Sequence, residues 1–263
     1  MHTRLTVSGV CVKRGGQTVL QGIDLQLAEA ELLAVIGPNG AGKSTLLQCM
    51  AGLLEPAAGT VQLNGVAPDS IAANERARKL AYLAQRSTLD FPLTVAQVIE
   101  LGRFPHRETA QQSRAIAALA AQALQLTHLL ERPYTRLSGG EQQRVQNARA
   151  LCQLLENAEE LRCAEGSVLL LDEPVAALDW SYQQQLMQQL RELVGNGLSA
   201  IVVLHDLNLA ARFADRIALL DRGRLRCCDT AAEALNSDTL SEVYQVAVAV
   251  MPHPRDNAPL VYR

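Results

Sequence analysis

The sequence predicts an α/β fold: a mixed, mainly parallel sheet, preceded by an antiparallel β subdomain and interrupted by an inserted helical subdomain. Three observations support this prediction. Strand-like apolar runs alternate with helical segments in residues 162–220, residues 94–161 are almost wholly helical in pattern, and residues 3–33 alternate apolar and polar side chains. We expect a single domain over residues 1–263, in which residues 1–85 and 162–263 form the core and residues 86–161 form the insert.

Antiparallel strands are predicted for the N-terminal residues. Gly15 and Gly16 separate two segments in which apolar side chains recur with strand-like spacing, namely Leu5, Val7, Val10, Val12, then Val19, Leu20, Ile23, Leu25 and Leu27. A turn at residues 55–59 leads into a predicted strand over residues 60–63. The dipeptide Asn64-Gly65 then favours a tight hairpin turn. Residues 79–84 complete this part of the chain as a further short strand.

Helices dominate the middle of the chain and alternate with strands after it. Thr94 and Gln97 have the spacing of a capping box before a helix over residues 95–101, and residues 115–126 form an alanine-rich helix. Strands are predicted over residues 167–171, 200–204 and 216–220, separated by helices over residues 182–194 and 207–214. In the last part of the chain, residues 221–263, only a helix near residues 237–243 is predicted.

A glycine-rich segment connects the apolar run of residues 32–36 to a predicted helix over residues 44–52. Its residues are Gly37, Pro38, Asn39, Gly40, Ala41, Gly42, Lys43, Ser44 and Thr45. Glycines let consecutive backbone N–H groups converge on one anion, and the helix that follows adds its positive N-terminus. Lys43 brings a positive charge to the β- and γ-phosphates, and the Ser44 hydroxyl can ligate Mg²⁺. The pattern therefore predicts a binding site for a nucleotide polyphosphate.

Two adjacent carboxylates follow the apolar run of residues 168–171. Asp172 and Glu173 would lie at the carboxyl end of a strand, where open α/β sheets bind their ligands. One carboxylate can hold Mg²⁺ through water while the other orients and deprotonates an attacking water. Alone, the pair could equally be a solvated strand end. Downstream of a phosphate-binding loop, a catalytic pair is the better interpretation.

A second anion site is predicted at the start of the helix over residues 139–151. Ser138 and Glu141 have capping-box spacing. Capping alone does not call for Gly139 and Gly140, because glycine is a poor residue in a helix. Bare glycines do allow a phosphate to reach the free N–H groups of the helix N-terminus.

Composition excludes several classes of protein. The net charge of -3 and the isoelectric point near 6.0 argue against nucleic acid as the main ligand. No apolar run is long enough to cross a bilayer and no signal-peptide pattern is present, so we expect a soluble, cytosolic chain. The six cysteines lack metal-site or redox-motif spacing and are expected to be reduced, mostly buried thiols; no role is evident for the adjacent pair Cys227 and Cys228.

Together these segments resemble the ATP-binding subunits of ABC transporters over nearly the whole chain. Residues 37–45 match their Walker A motif, residues 137–141 their signature motif and residues 168–173 their Walker B motif. Gln85 matches the Q-loop glutamine, Asp179 lies in the D-loop motif Ala-Leu-Asp, and His205 matches the switch histidine. The resemblance implies the ABC ATPase form of the phosphate-loop nucleoside triphosphatase (P-loop NTPase) fold.

The resemblance also implies ATP and Mg²⁺ as ligands and a head-to-tail pair of chains. Each ATP would lie between one Walker A loop and the signature residues Ser138, Gly139 and Gly140 of the second copy. Glu173 would be the catalytic base and His205 would hold the γ-phosphate and the attacking water. The same resemblance implies that Mg²⁺ is bound by Ser44, Gln85 and Asp172. It also implies that Asp179 lies at the nucleotide.

Two of the chain's departures from the usual pattern of the family bear on nucleotide binding. Arg14 occupies the place of the usual aromatic residue that stacks on adenine. A guanidinium plane can also stack on a base, although it gives little selectivity between bases. Glu141 replaces the usual glutamine of the signature and adds a negative charge near the γ-phosphate.

Within the family, the chain most resembles the hemin-import ATPases of the iron-siderophore and vitamin B12 importer group. The resemblance rests on the signature sequence, on residues 100–106, on the lengthened stretch 155–166 and on the ending at residues 252–261. It implies two transmembrane permease subunits, a periplasmic hemin-binding protein as an indirect partner, and a location on the cytoplasmic face of the bacterial inner membrane.

Two alternatives remain open at this stage. One is the ATPase of a ferric-siderophore or cobalamin importer, and the other is a soluble ABC ATPase that does not serve transport. Arg103, Phe104 and His106 could line a cleft for a permease helix or could equally be a solvated helix end.

Overall fold

The computed structural model describes residues 2–85, 89, 91–255 and 257–262. Within these ranges the strands are β1 (Thr3–Arg14), β2 (Gln17–Ala28), β3 (Leu32–Ile36), β4 (Ala58–Leu63), β5 (Leu80–Leu83), β6 (Val168–Asp172), β7 (Ser199–Val203), β8 (Arg216–Asp221), β9 (Arg224–Asp229), β10 (Ala249–Pro252) and β11 (Pro259–Tyr262). The α-helices are α1 (Lys43–Met50), α2 (Ala73–Lys79), α3 (Val95–Glu100), α4 (Ala110–Ala123), α5 (Gly139–Leu154), α6 (Trp180–Gly195), α7 (Leu207–Phe213), α8 (Ala231–Ala234) and α9 (Ser237–Tyr244).

The central sheet has six strands in the order β5-β6-β7-β3-β8-β9. All neighbouring pairs are parallel except β8 and β9, which form an antiparallel hairpin at one edge. Because parallel strands end at the same side of a sheet, the segments after β3, β5, β6 and β7 all emerge along one edge. These four segments contain the glycine-rich loop, Gln85, Glu173 and His205.

A second, antiparallel sheet has the order β2-β1-β4 and confirms the predicted N-terminal β subdomain. The glycine pair between β1 and β2 forms the expected turn, and Asn64 and Gly65, both with positive φ, end β4. Gly22 does not break β2, although the pairing of β1 with β2 shifts register more than once along its length. The sheet therefore bends while it remains continuous.

Two apolar clusters lie on opposite faces of the central sheet. Alternate residues of β3 divide between them: Leu33 and Val35 pack with α1 and the three-stranded sheet, whereas Leu32, Ala34 and Ile36 pack with the helices. This alternation explains why β3 is buried on both faces and reads as an unbroken apolar run. The core is aliphatic, as the aromatic content of 3% requires.

Helices α3, α4 and α5 pack on one another and share the larger apolar cluster with the sheet. The capping box of Thr94 and Gln97 is present, as predicted. The start predicted for the alanine-rich helix was wrong: α4 begins at Ala110, because Thr109 and Gln112 form a capping box that sequence reasoning overlooked. It ends three residues earlier than predicted, and Gln125 then adopts a left-handed φ of 55°. The proposed boundary of the insert stays a prediction; it adjoins residues 86–88, which lie outside the described residues.

The C-terminal residues contain more structure than predicted. The helix near residues 237–243 is confirmed as α9, but β9, α8 and the hairpin of β10 and β11 were missed. The hairpin is held by Asn208 on α7, whose amide nitrogen donates to Val261 O at 3.0 Å and whose amide oxygen accepts from Val261 N at 2.7 Å. Such a contact joins residues far apart in sequence, so local patterns do not predict it.

All six cysteines are free thiols, as expected. The adjacent pair lies on β9, where successive side chains point to opposite faces. Cys227 packs against one apolar cluster and Cys228 against the other. Burial raises the pKa of Cys228 to about 11, so this thiol stays protonated at neutral pH. Among the described helices, none is long and apolar enough to cross a membrane.

The turn between β8 and β9 generates a stability prediction. Gly223 has a φ of 76°, and a Cβ atom there would lie 2.1 Å from Val19 O. Its backbone also joins two parts of the fold, because its O accepts from Gln21 N at 2.8 Å and its N–H donates to Ala41 O at 2.9 Å. We expect Gly223→Ala to lower the free energy of unfolding by about 2–4 kcal/mol, from left-handed strain plus the overlap.

Gly65 supplies a matched control. Its φ is 78°, but no atom lies within 4 Å of the position of an added Cβ. Gly65→Ala should therefore cost only the backbone strain, about 1–2 kcal/mol. Denaturant unfolding of both variants gives the comparison, and equal losses would contradict the steric argument.

Candidate active site

The glycine-rich loop forms a closed turn between β3 and α1. Lys43 is 6% exposed, and its Nζ donates to Gly37 O at 2.7 Å and to Pro38 O at 2.9 Å. Burial lowers the pKa of Lys43, while the charges of Glu173 and Asp172 oppose this effect. The ammonium group is therefore held inside the loop that is predicted to surround phosphate. Asn39 and Gly40 are exposed at the tip, whereas Ala41 and Thr45 are buried.

The close packing of this loop requires glycine at its first position. Gly37 has a φ of 145°, and a Cβ atom there would lie 2.0 Å from Leu220 O on β8. Tyr244, at the end of α9, also reaches this position. Burial raises the pKa of Tyr244 to about 12, and a hydrogen bond with the Gly37 backbone partly offsets that rise. Sequence reasoning missed this support, because no motif connects α9 with the loop.

Asp172, the last residue of β6, is 1% exposed. The Ser44 hydroxyl at the start of α1 lies next to its carboxylate and acts to lower the pKa of Asp172. Burial nevertheless raises the pKa of Asp172, and its Oδ1 has no hydrogen-bond partner among the described residues. A buried carboxylate oxygen beside a hydroxyl is the kind of oxygen donor set that a hard divalent cation prefers.

Each carboxylate oxygen of Glu173 contacts one polar side chain. His205 Nε2 lies 2.6 Å from Glu173 Oε1, and Gln85 Nε2 donates to Glu173 Oε2 at 2.7 Å. The segments after β5, β6 and β7 thus bring together the three residues predicted to be catalytic. The Glu173 side chain is 12% exposed and His205 is 46% exposed, so the trio is reachable from solvent through the histidine side.

The backbone at Glu173 is unusual. It has a left-handed φ of 55°, although glutamate has a Cβ atom and normally avoids this region. Strain of this kind costs about 1–3 kcal/mol and concentrates at functional sites. Here it turns the chain sharply after the strand and aims the carboxylate toward Gln85 and His205.

The signature segment begins α5 as predicted. Ser138 and Glu141 form the complete capping box, and the Ser138 hydroxyl and N–H both hold Glu141 Oε2 at 2.8 Å. These hydrogen bonds lower the pKa of Glu141. Gly140 lies against the D-loop, since a Cβ atom there would be 3.0 Å from Ala177 O. Within the described residues, no hydrogen bond connects residues 138–140 with the phosphate-binding loop.

Two further candidates have local partners. Asp179 caps α6, and its Oδ1 accepts from Tyr182 N at 3.0 Å. Arg14 is exposed at the end of β1, and its Nη2 donates to Gln48 Oε1 on α1 at 2.6 Å. Arg14 is therefore anchored next to the helix that follows the phosphate-binding loop. Contact of either residue with nucleotide stays a prediction.

The interpretation of residues 103–106 needs correction. Arg103 is 3% exposed, forms an ion pair with Glu108 at 2.9 Å and donates to Cys152 O at 2.6 Å and Leu155 O at 2.8 Å. It neither lines an open cleft nor belongs to a solvated helix end, because it holds the carbonyl groups at the end of α5. His106 is half-buried and lies 2.8 Å from Gln153 O. Only Phe104, at 88% exposure, is available on the surface.

The fold and site define a class of protein: a phosphate-loop nucleoside triphosphatase in which Asp172 at a strand end, Glu173 and His205 lie beside the loop. The sequence profile of the ABC transporter family matches residues 20–176, which is more than half of the chain. The chain therefore belongs to the ABC transporter family, and its activity is ATP hydrolysis.

Similar proteins are known from several bacteria. The chain is 44% identical over 257 residues to a protein named hemin import ATP-binding protein HmuV from Pseudomonas entomophila, with 98% of each chain covered. The HmuV protein of Pseudomonas aeruginosa matches with the same identity and coverage. Among solved structures, the dimeric bacterial ABC transporter cassette MJ0796 matches with a TM-score of 0.74 and 28% identity, covering 86% of this chain and 98% of that one. These matches confirm the predicted ABC ATPase fold.

The buried carboxylate of β6 gives a prediction on stability. A carboxyl group whose pKa is raised by folding favours the folded state at low pH, and this contribution is lost as the pH rises through the folded-state pKa. We expect Asp172→Asn to raise the free energy of unfolding at pH 7 by about 1–2 kcal/mol, because it removes a buried charge with an unpaired oxygen. ATP hydrolysis should be lost in the same variant.

Denaturant unfolding without nucleotide or divalent cation measures this effect. Asp69→Asn is the matched control, because Asp69 is exposed and loses the same charge. A less stable Asp172→Asn protein would show that the carboxylate supports the fold.

Proposed function

We propose that this chain is the ATP-hydrolysing, energy-coupling subunit of a bacterial hemin importer. The observation that supports hydrolysis is the Glu173 carboxylate, held between Gln85 and His205 beside the phosphate-binding loop. The hemin assignment is supported by relatives with 44% identity over 98% of the chain that are named for hemin import. As an ABC ATPase, the chain acts as a dimer with membrane permease partners.

Mg²⁺ is the proposed cation, and the residues present fit it. Ser44 and Asp172 supply a hydroxyl and a buried carboxylate whose Oδ1 lacks a partner among the described residues. Gln85 can contribute its amide oxygen while its amide nitrogen still donates to Glu173. The ion would neutralise charge on the β- and γ-phosphates and polarise the bond that breaks. Gln85 would thus connect the metal site with the catalytic base.

The remaining residues divide the other tasks. Lys43 would leave its carbonyl partners in the loop and bind the β- and γ-phosphates. Glu173 would take a proton from the attacking water, because each carboxylate oxygen has a second lone pair beyond its present hydrogen bond. His205 would hold the γ-phosphate. Arg14 would lie against adenine, next to its anchor on α1.

A second copy of the chain would complete the site. Gly139 and Gly140 open α5 with backbone N–H groups that are free to bind an anion, yet no contact within the chain brings them to the phosphate-binding loop among the described residues. Ser138, Gly139 and Gly140 of one copy would therefore bind the γ-phosphate held by Lys43 of the other. Asp179 would lie at the same junction, because the D-loop packs on Gly140. Closure then depends on the third phosphate.

The hemin proposal also implies particular partner proteins and a location at the membrane. Two permease subunits would receive the dimer on the cytoplasmic face of the inner membrane, and a periplasmic hemin-binding protein would deliver the cargo. Phe104 is an exposed apolar side chain suited to the permease contact. The alternatives are a ferric-siderophore or cobalamin importer, and a soluble ABC ATPase outside transport.

Removal of the proposed base gives the first test. Glu173→Gln keeps the length and shape of the side chain, but its amide cannot take a proton from the attacking water, so ATP hydrolysis should fall by about 10²–10⁴-fold. With ATP and Mg²⁺ the variant should accumulate as a dimer in light scattering after size-exclusion chromatography. Glu141→Gln is the control: it loses the same charge at a partly exposed capping residue and should stay within a few-fold of the parent. A Glu173→Gln protein that stays monomeric and hydrolyses ATP would refute the assignment.

Cargo requires a test of its own. The chain is reconstituted in lipid vesicles with its permease and binding-protein partners, and ATP hydrolysis is measured with hemin, a ferric siderophore or cobalamin. Hemin should stimulate hydrolysis several-fold, and only in the complete complex. Stimulation by the siderophore or cobalamin alone would replace hemin by that cargo. A complex that hydrolyses ATP but responds to no cargo would refute an importer.

A further inference from the structure

A cleft of about 300 Å³ opens between α4 and α5 on one side and α6 and α7 on the other. Residues of the phosphate-binding loop do not line it. Its polar lining includes Gln125 and Arg144 from the first side and Tyr182 and Arg212 from the second. A cavity of this size is at the lower end of the range for small-molecule sites. The lining residues have no task in the hydrolysis of ATP described above.

Arg144 is the residue of this cleft that indicates a negatively charged ligand. It is 7% exposed, and its guanidinium carbon lies 3.9 Å from the centre of the Tyr182 ring. Its one hydrogen bond to the described residues is long, 3.5 Å from Nη1 to Gln125 O. No described carboxylate lies within ion-pair distance of it. A buried guanidinium of this kind has donors to spare and lacks a negative charge.

Asn147 adds an independent observation. It is 4% exposed, and its amide nitrogen donates to Pro174 O at 3.2 Å. Its Oδ1 has no hydrogen-bond partner among the described residues. A buried amide oxygen without a partner costs about 1–3 kcal/mol, so an unsatisfied acceptor lies at the wall of the cleft.

The rest of the lining sets the chemistry of the ligand. Arg212 supplies a second positive charge at the α7 side, where its Nη1 donates to Gln184 Oε1 at 3.3 Å. Leu124, Leu178 and Phe213 provide apolar wall, and no aspartate or glutamate is among the described residues that line the cleft. An anion with an apolar body satisfies both features, whereas a bare inorganic anion would leave the apolar wall unused.

We propose that this cleft binds a small organic carboxylate. The carboxylate of the ligand forms a hydrogen-bonded ion pair with Arg144, and Arg212 supplies a second positive charge beside it. The apolar body of the ligand packs against Leu124 and Phe213. Because Arg144 lies six residues after Ser138 and Tyr182 three after Asp179, the bound ligand connects the signature helix with the helix that follows the D-loop.

Saturation-transfer NMR on the full-length chain, with benzoate as the probe, tests the proposal. Benzoate should bind, inorganic phosphate should not displace it, and a non-hydrolysable ATP analogue should leave it bound. Arg144→Gln should weaken binding about tenfold or more, as expected for a charge-assisted contact to carboxylate. Arg212→Gln should weaken it by a smaller factor.

Two further variants serve as controls for folding and for net charge. Ala123→Leu fills the cleft without removing charge, so it tests the site even if Arg144→Gln fails to fold. Arg114→Gln changes the net charge equally on the exposed face of α4 and should bind benzoate like the parent. The proposal is overturned if benzoate does not bind, if phosphate or the ATP analogue displaces it, or if the Ala123→Leu protein binds it as well as the parent.

Discussion

The parallel pairing of β6, β7 and β3 at the centre of the six-stranded sheet is the constraint on which the site depends. Adjacent parallel strands end at one edge of the sheet. The pairing of the strands is therefore enough to bring together Asp172, the segment with His205 and the phosphate-binding loop. The strands are buried on both faces. Their register therefore cannot slip without exposing apolar side chains, and the catalytic distances inherit the rigidity of the core.

Function is built into this edge at the expense of stability. Lys43 and Asp172 are both buried. Burial lowers the pKa of Lys43 and raises the pKa of Asp172, so it favours the neutral form of each side chain. Glu173 adds a left-handed backbone that glutamate normally avoids. The cost of the two buried charges would be relieved by a ligand that brings phosphate and a divalent cation, because their charges would pair with the lysine and the aspartate. The ligand-free edge is thus prepared to bind, and the surrounding core supplies the stability that permits it.

Local chemistry made most of the fold predictable from sequence. The phosphate-binding loop, the apolar strands and two capping boxes each depend on residues within a few positions of one another, and all appear where expected. The failures involve distant residues. Arg103 was judged by its neighbours in sequence, but its partners include carbonyl groups about fifty positions away. The hairpin of β10 and β11 depends on Asn208, and the support of Gly37 by Tyr244 has no sequence signal at all.

The candidate site was predictable only in part for the same reason. Motif spacing identified Gln85, Glu173 and His205 individually, whereas their meeting depends on the order β5-β6-β7 in the sheet. The signature helix illustrates the opposite case. Its capping box is complete within the chain, and the hydrogen bonds that hold Glu141 keep its carboxylate charged. In the proposed dimer, an incoming γ-phosphate would therefore meet a helix N-terminus that already has one negative group. The bare N–H groups of Gly139 and Gly140 would have to outweigh that repulsion, which favours a phosphate whose charge is reduced by Lys43 and a divalent cation on the opposite copy.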